Sequence, residues 1–147
     1  MNIEVKVDTS KLDRLLADFP VALARAQRQA LMDIGDEVKS QVQRAFKHPQ
    51  YRPSPWAPRK SGGKWPLLIK SGKMQQSIDR NLVGNNTVVV GTDSKYAGYH
   101  QTGTKNMPAR PFFPVDKAGN LLPRVQRKIV KYVKDAMIAE LRKIGIQ

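Results

Sequence analysis

The sequence predicts a single α+β domain in which a small antiparallel sheet packs against two long amphipathic helices. Three observations support this prediction: a helical apolar stripe over residues 21–46, a second stripe that begins at Leu122, and a hairpin over residues 78–91. The chain has 147 residues, of which 40% are hydrophobic, so one buried core is expected. We therefore treat residues 1–147 as one domain.

Both long helices are predicted from apolar residues at helical spacing, with charged residues off the stripe. The first stripe comprises Leu23, Ala30, Leu31, Ile34, Val38, Val42 and Ala45. The second comprises Leu122, Val125, Ile129, Val133 and Ala136. Asn120 is a candidate cap for this last helix, and Pro123 suits its first turn. A shorter helix is expected from Ser10 to about Pro20, because Ser10 and Asp13 resemble a capping box.

Strands are predicted from alternation and from β-branched residues. Residues 3–7 alternate apolar and charged side chains, which is typical of a half-buried strand. Residues 78–91 form a hairpin around a loop of about three residues, Gly-Asn-Asn. Residues 110–115 are expected to form another strand, placed at a sheet edge by its prolines. Phe112 and Phe113 would then point to opposite faces, one into the core and one free for an interface.

The remaining segments are short helices and one long loop. Helical turns are expected at residues 71–77, capped by Ser71, and at residues 95–101. Residues 47–66 hold five of the ten prolines, which remove backbone donors, so this segment is predicted to be a loop. Its tryptophans argue against disorder. We expect the loop to become ordered against this chain or a neighbour.

The charge is strongly and unevenly positive. The formal net charge is +14, and residues 51–120 hold eleven basic but only three acidic side chains. Residues 1–50 are nearly balanced, with eight basic and seven acidic side chains. This charge is compatible with an anionic partner, and nucleic acid, a lipid surface and an acidic protein are all candidates on charge alone.

The sequence gives no sign of secretion or of a membrane partner. It has no cysteine, so a disulfide framework or a thiolate metal site is excluded. Its longest apolar runs fall far short of the roughly 20 residues that a membrane helix needs. The first residues alternate apolar and charged side chains, unlike a signal peptide. We expect a soluble protein used inside a cell.

Neither a cofactor site nor a metal site is predicted. The Gly-Lys pairs at residues 63–64 and 72–73 lack the first glycine and the Ser or Thr of a phosphate-binding loop. His48 and His100 each lack a second ligand at the spacing of a helical metal site. The residues therefore predict no bound cofactor.

An enzyme is not predicted either. A hydrolase triad can be assembled on paper from Ser94 or Ser71, His100, and Asp93 or Asp116. No nucleophile elbow or comparable context accompanies these residues, and no base, nucleophile and oxyanion donor occur together. We therefore expect His100 to serve a local hydrogen bond or an interface.

Nucleic-acid binding is the alternative that the composition favours, because basic residues interleaved with aromatic rings are its usual footprint. The candidate contacts are Arg52, Arg59, Lys60 and Lys64, followed by Lys70 and Lys73. Tyr51, Trp56 and Trp65 lie among them and offer faces on which bases stack. A solvated basic loop whose tryptophans pin it to the core is the competing interpretation.

An ordered set of short motifs covers residues 50–114. It comprises Trp56, Ser71-Gly72, Ser77-Ile78, Gly91-Thr92, Tyr96-Ala97, His100-Gln101, Gly103 and Pro108-Ala109-Arg110-Pro111-Phe112. In this order the motifs resemble the virion-morphogenesis, or tail-completion, proteins of long-tailed bacteriophages. Met74 departs from the leucine frequent in that family, which is a volume-conserving change.

The resemblance implies a structural protein without catalytic activity, at the head-tail junction or capping the tail of the virion and in host cytoplasm during assembly. It also implies a homo-oligomeric ring with other tail or head-tail connector proteins as partners. The nucleic-acid alternative is compatible with this ring if DNA passes through it. The expected interface residues are Trp56, Trp65, Tyr96, His100, Arg110, Phe112 and Phe113. Arg110 is expected to pair with a carboxylate, within the fold or across a subunit boundary.

Overall fold

The computed structural model describes residues 3–9 and 20–143, and these residues form the predicted α+β domain. The strands are β1 (Ile3–Asp8), β2 (Asp79–Val83) and β3 (Thr87–Thr92). The helices are α1 (Ala22–Ala45), α2 (Lys73–Gln76), α3 (Ala97–Thr102) and α4 (Pro123–Lys143), with one 3₁₀ turn at Pro49–Tyr51. The helix predicted after Ser10 lies largely outside the described residues.

The three strands form one antiparallel sheet in the order β1-β3-β2. Val83 pairs with Thr87 across the hairpin, so the predicted three-residue loop at 84–86 is confirmed. Alternate side chains of the strands face α1, and on this face Val5, Val88 and Val90 are buried. The opposite face of the sheet carries mainly polar and charged residues, such as Glu4 and Asp79.

Helix α1 lies between the sheet and α4, and the predicted stripe is its buried face. Gly35 lets this helix approach the sheet closely. A β-carbon there would lie 2.6 Å from Arg80 Cδ and 2.7 Å from Val88 Cγ2, closer than real carbon contacts. Arg80 is held in place by an ion pair with Asp36, the next residue of α1. The close spacing of α1 and the sheet therefore depends on the absence of a β-carbon at Gly35.

Helix α4 packs along the other side of α1, burying Val125 and Ala136 of its predicted stripe. A polar cluster ties the two helices together at Glu37, whose side chain is 16% exposed. Lys128 Nζ lies 2.6 Å from Glu37 Oε1, and Tyr132 donates its hydroxyl to Oε2 at 3.1 Å. Three partners including Gln41 donate to this carboxylate, so its charge is well satisfied at the helix-helix interface.

The short elements follow the sequence predictions with small shifts. Helices α2 and α3 fall within or beside the predicted turns, and Ser71 Oγ accepts the N–H of Lys73 at 3.4 Å. Helix α4 begins at Pro123, as expected from its missing donor. Asn120 is not adjacent to the helix; its side-chain amide donates to Asp116 Oδ2 at 3.4 Å.

The predicted strand at residues 110–115 is wrong. Its backbone donors are used locally: the N–H groups of Phe112 and Phe113 both donate to Gln101 Oε1 at 3.0 Å. Arg110 donates its N–H to the carbonyl of His100 at 2.6 Å. Because the segment is held by α3 and not by a pleated ladder, strand alternation does not apply. Both phenylalanines are therefore buried, against the expectation that one is free.

Candidate functional site: a basic groove beside the anchored loop

The proline-rich loop, residues 47–66, is ordered against the body of the same chain, and Trp56 is its central anchor. The indole is buried and packs edge-on against Phe46, with ring centroids 6.3 Å apart. Its Nε1–H donates to the carbonyl of Pro111 at 2.7 Å. One side chain thus joins the loop to the end of α1 and to the segment after α3.

Arg52 closes the end of helix α1. Its Nε donates to the carbonyl of Ala45 at 2.7 Å and its Nη2 to that of Phe46 at 3.2 Å, so it satisfies carbonyls that lack helical partners. The guanidinium also stacks on Trp56, 3.7 Å from the ring centroid. Burial lowers the pKa of Arg52 from its ordinary value. This predicted nucleic-acid contact is therefore engaged within the fold.

Two further arginines satisfy loop carbonyls. Arg110, 8% exposed, donates from Nε to Ala57 at 2.8 Å and from Nη2 to Pro58 at 3.1 Å. Arg124 of α4 donates to the carbonyls of Gln50 and Tyr51 at 2.7 and 2.6 Å. Prolines leave this loop short of internal donors, and the planar guanidinium fork supplies them. Among the described residues, Arg110 thus pairs with backbone carbonyls and not with a carboxylate of the same chain, while a pair across a subunit boundary stays a prediction.

A groove opens between the anchored loop and helix α3. One part, of about 650 Å³, is lined by Leu68, Met74, Tyr96 and His100 among others. A second, shallower part of about 830 Å³ lies between the loop and the turn at residues 104–108. Arg59 and Arg110 line both parts, so we describe them together as the basic groove. Its cationic side chains are Arg59, Lys60, Lys70, Lys73, Lys95, Lys105 and Arg110.

His100 lies on the wall of the groove, half-buried. Burial and then the charge of Arg110 lower the pKa of its imidazole, and both favour the neutral ring. The structure brings Ser71, Ser94 and Asp93 to the same groove. Within the described residues, however, no hydrogen bond joins them to His100, and its buried Nδ1 has no partner. A histidine without an orienting carboxylate is not a positioned general base.

The predicted interface residues separate into two groups. Trp65 and Tyr96 are 46% and 68% exposed, and His100 is half-buried beside Tyr96. The other four residues pack inside the subunit and hold the loop or the core together: Trp56, Arg110, Phe112 and Phe113. A subunit contact at the first group stays a prediction.

The predicted nucleic-acid residues separate in a similar way. Arg59 Nη2 donates to the carbonyl of Pro66 at 3.1 Å and, unlike Arg52, still lines the groove. Lys60 and Lys64 are exposed. Sequence reasoning missed Lys95 and Lys105, which lie on other segments and reach this surface only through the fold.

Among residues 3–9 and 20–143, no group of three metal-ligating side chains is placed to hold an ion. Over the same part of the chain, no helix has the length and apolarity to cross a membrane.

Comparison with known proteins identifies the family. The profile of the phage virion morphogenesis family matches residues 7–138, which include the loop, the groove, all of α1 and most of α4. A Mu-like prophage protein of Haemophilus influenzae, FluMu G protein 1, is 47% identical over 36 residues. That alignment spans 24% of this chain and 25% of the relative. No solved structure matches the chain. The extent of the profile match shows that the chain belongs to the phage virion morphogenesis family.

Proposed function

We propose that this protein completes the phage tail or joins the tail to the head, and that it acts without catalysis as a ring of identical subunits. The observation that carries the proposal is the family match over residues 7–138. The partial similarity to a prophage protein agrees with a phage origin. The proposed partners are other copies of the chain and neighbouring tail or head-tail connector proteins.

The architecture suits repeated subunit contacts. The loop that would normally be pliable is fixed by Trp56, Arg52, Arg110 and Arg124, so the surface it presents is preorganised, which lowers the entropic cost of association. Exposed aromatic rings such as Tyr96 are typical of contact sites. A head-to-tail contact between unlike faces closes into a ring when its rotation allows.

A deletion experiment tests the assembly role. In a phage that carries this gene, we expect removal of the gene to leave filled heads and tails that remain unjoined or incomplete in electron micrographs of the lysate. Supplying the intact gene in trans restores joined particles. Normal virions from the deletion strain would contradict the proposal.

The ring is tested separately, by counting copies in purified virions with quantitative mass spectrometry. We expect several copies per particle, whereas a single copy contradicts a homo-oligomeric ring. Replacing Trp65 and Tyr96 with serine should lower incorporation into particles. Val130, which is 66% exposed on α4, provides the matched control: Val130→Ser removes exposed apolar surface elsewhere and should leave incorporation unchanged.

A further inference from the structure

The basic groove gathers positive charge with little acidic charge beside it. Asp93 is the one carboxylate among the groove-lining residues of the described chain, against seven cationic side chains. The described residues show no ion pair for the groove lysines, Lys60, Lys70, Lys73, Lys95 and Lys105. Elsewhere some cations pair with carboxylates, as in Lys128–Glu37, and others are exposed without a pair among the described residues, as Arg127 is. The groove therefore combines several uncompensated cations on one concave surface.

Two exposed rings lie beside these cations. Tyr96 lines the groove and is mostly exposed. Trp65 stands next to Lys70, a groove-lining residue whose Nζ lies 5.4 Å from the ring centroid. Leu68 lines the groove with φ of 63°, a left-handed conformation that is unfavourable for a side chain of this size. Such strain often accompanies binding surfaces.

We propose that the basic groove binds the phosphodiester backbone of DNA, a function separate from the assembly role. The arginines that line the groove, Arg59 and Arg110, already donate to backbone carbonyls. What remains free are lysines on several different segments, which act as separate point charges along a chain of phosphates.

The site is preorganised for this contact. Arg110 and Trp56 fix the loop that carries Lys60, and helix α3 fixes the wall that carries Tyr96. Binding therefore requires little ordering of the protein backbone. Stacking of an unpaired base on Trp65 or Tyr96 would add to the backbone contact only on a single strand.

Fluorescence anisotropy tests the proposal, with a labelled duplex of about 30 base pairs and a single strand of equal length between about 50 and 200 mM salt. Five free lysines predict a log-log salt slope near −4.5 for duplex if all contact phosphates, at about 0.9 per contact. Changing Lys70, Lys73 and Lys95 to glutamine should reduce the slope by about 2.7. Circular dichroism checks that the variant folds.

The matched control removes the same charge elsewhere. Lys117, Arg127 and Lys134 are exposed away from the groove, and changing all three to glutamine should leave the slope unchanged. Equal losses in both triple variants, or no binding at the lowest salt, overturn the proposal. Polyglutamate that binds as tightly as DNA also overturns it and assigns the groove to an acidic protein.

Comparing the duplex titration with the single-strand titration shows which form of DNA the groove binds. Preference for the duplex, insensitive to Trp65→Leu, supports backbone contact alone. Preference for the single strand that disappears in Trp65→Leu supports backbone contact with base stacking. Neither result depends on the virion phenotype, so failure here leaves the assembly role standing.

Discussion

Arg110 is the side chain whose loss should disturb the groove most. In Arg110→Ala, the carbonyls of Ala57 and Pro58 lose charged donors at 2.8 and 3.1 Å in a nearly buried position. Hydrogen bonds to charged groups contribute about 1.5–3 kcal/mol each, so we expect a loss of about 3–6 kcal/mol in unfolding free energy. Arg110→Lys keeps the charge but not the planar fork and should recover less than half of the loss.

The loss is measured by urea denaturation in a Trp65→Phe background, where Trp56 is the remaining tryptophan and reports the loop directly. Trypsin provides a local assay, because release of the loop should accelerate cleavage after Lys60 and Lys64. Arg127→Ala, on the exposed face of α4, is the matched control. If Arg110→Ala matches this control in both midpoint and cleavage rate, the anchoring role of Arg110 is refuted.

Three further predictions concern the body of the fold. Gly35→Ala should destabilise by about 1–2 kcal/mol, because overpacking against Arg80 and Val88 of about 1–3 kcal/mol exceeds the helix-propensity gain of about 0.5–1 kcal/mol. Gln101→Leu should cost about 2 kcal/mol or more in thermal or urea unfolding, since it leaves two buried N–H groups without an acceptor, whereas Gln101→Glu keeps the acceptor and should recover part of the loss. Burial acts to raise the pKa of Glu37, but hydrogen bonds and the charge of Lys128 outweigh it and lower the pKa below 4.5. The carboxylate therefore stabilises the fold above that pH, and the advantage of wild type over Glu37→Gln in urea should vanish as the pH falls through the lowered pKa.

Each of these has a contradicting result. A Gly35→Ala variant as stable as wild type would show that the helix can move off the sheet without cost. Equal stability of Gln101→Leu and Gln101→Glu would show that the side-chain acceptor at residue 101 does not stabilise the fold. A wild-type advantage over Glu37→Gln that persists unchanged at pH 3 would show that the carboxylate charge is not its source.

The sequence predicted those elements whose signals are local. Helix α1 and the β2-β3 hairpin follow from apolar spacing and from a Gly-Asn-Asn turn, so their bounds were close to the observed ones. The segment at 110–115 was misassigned because its bonding partner, Gln101, lies outside the segment. The composition of residues 110–115, rich in proline and phenylalanine, does not show that two of their backbone N–H groups donate to Gln101.

Only the local part of the candidate site could be predicted, because contacts between distant segments leave no local signal in the sequence. Burial divides the motif residues into anchors such as Trp56 and exposed rings such as Tyr96, and spacing along the chain does not show that division. The basic groove depends on Lys95 and Lys105 meeting the loop through tertiary packing. Only the folded chain shows which cations remain without a carboxylate.

Complementation in vitro tests the central claim most directly. Purified protein is added to an extract of the deletion strain that contains separate heads and tails, and infectious particles are counted as plaques. We expect wild-type protein and the Arg127→Ala control to restore the titre, and Arg110→Ala, with its loop released, to restore far less. An extract that gains no plaques from the wild-type protein, or that needs none, would contradict the assembly role.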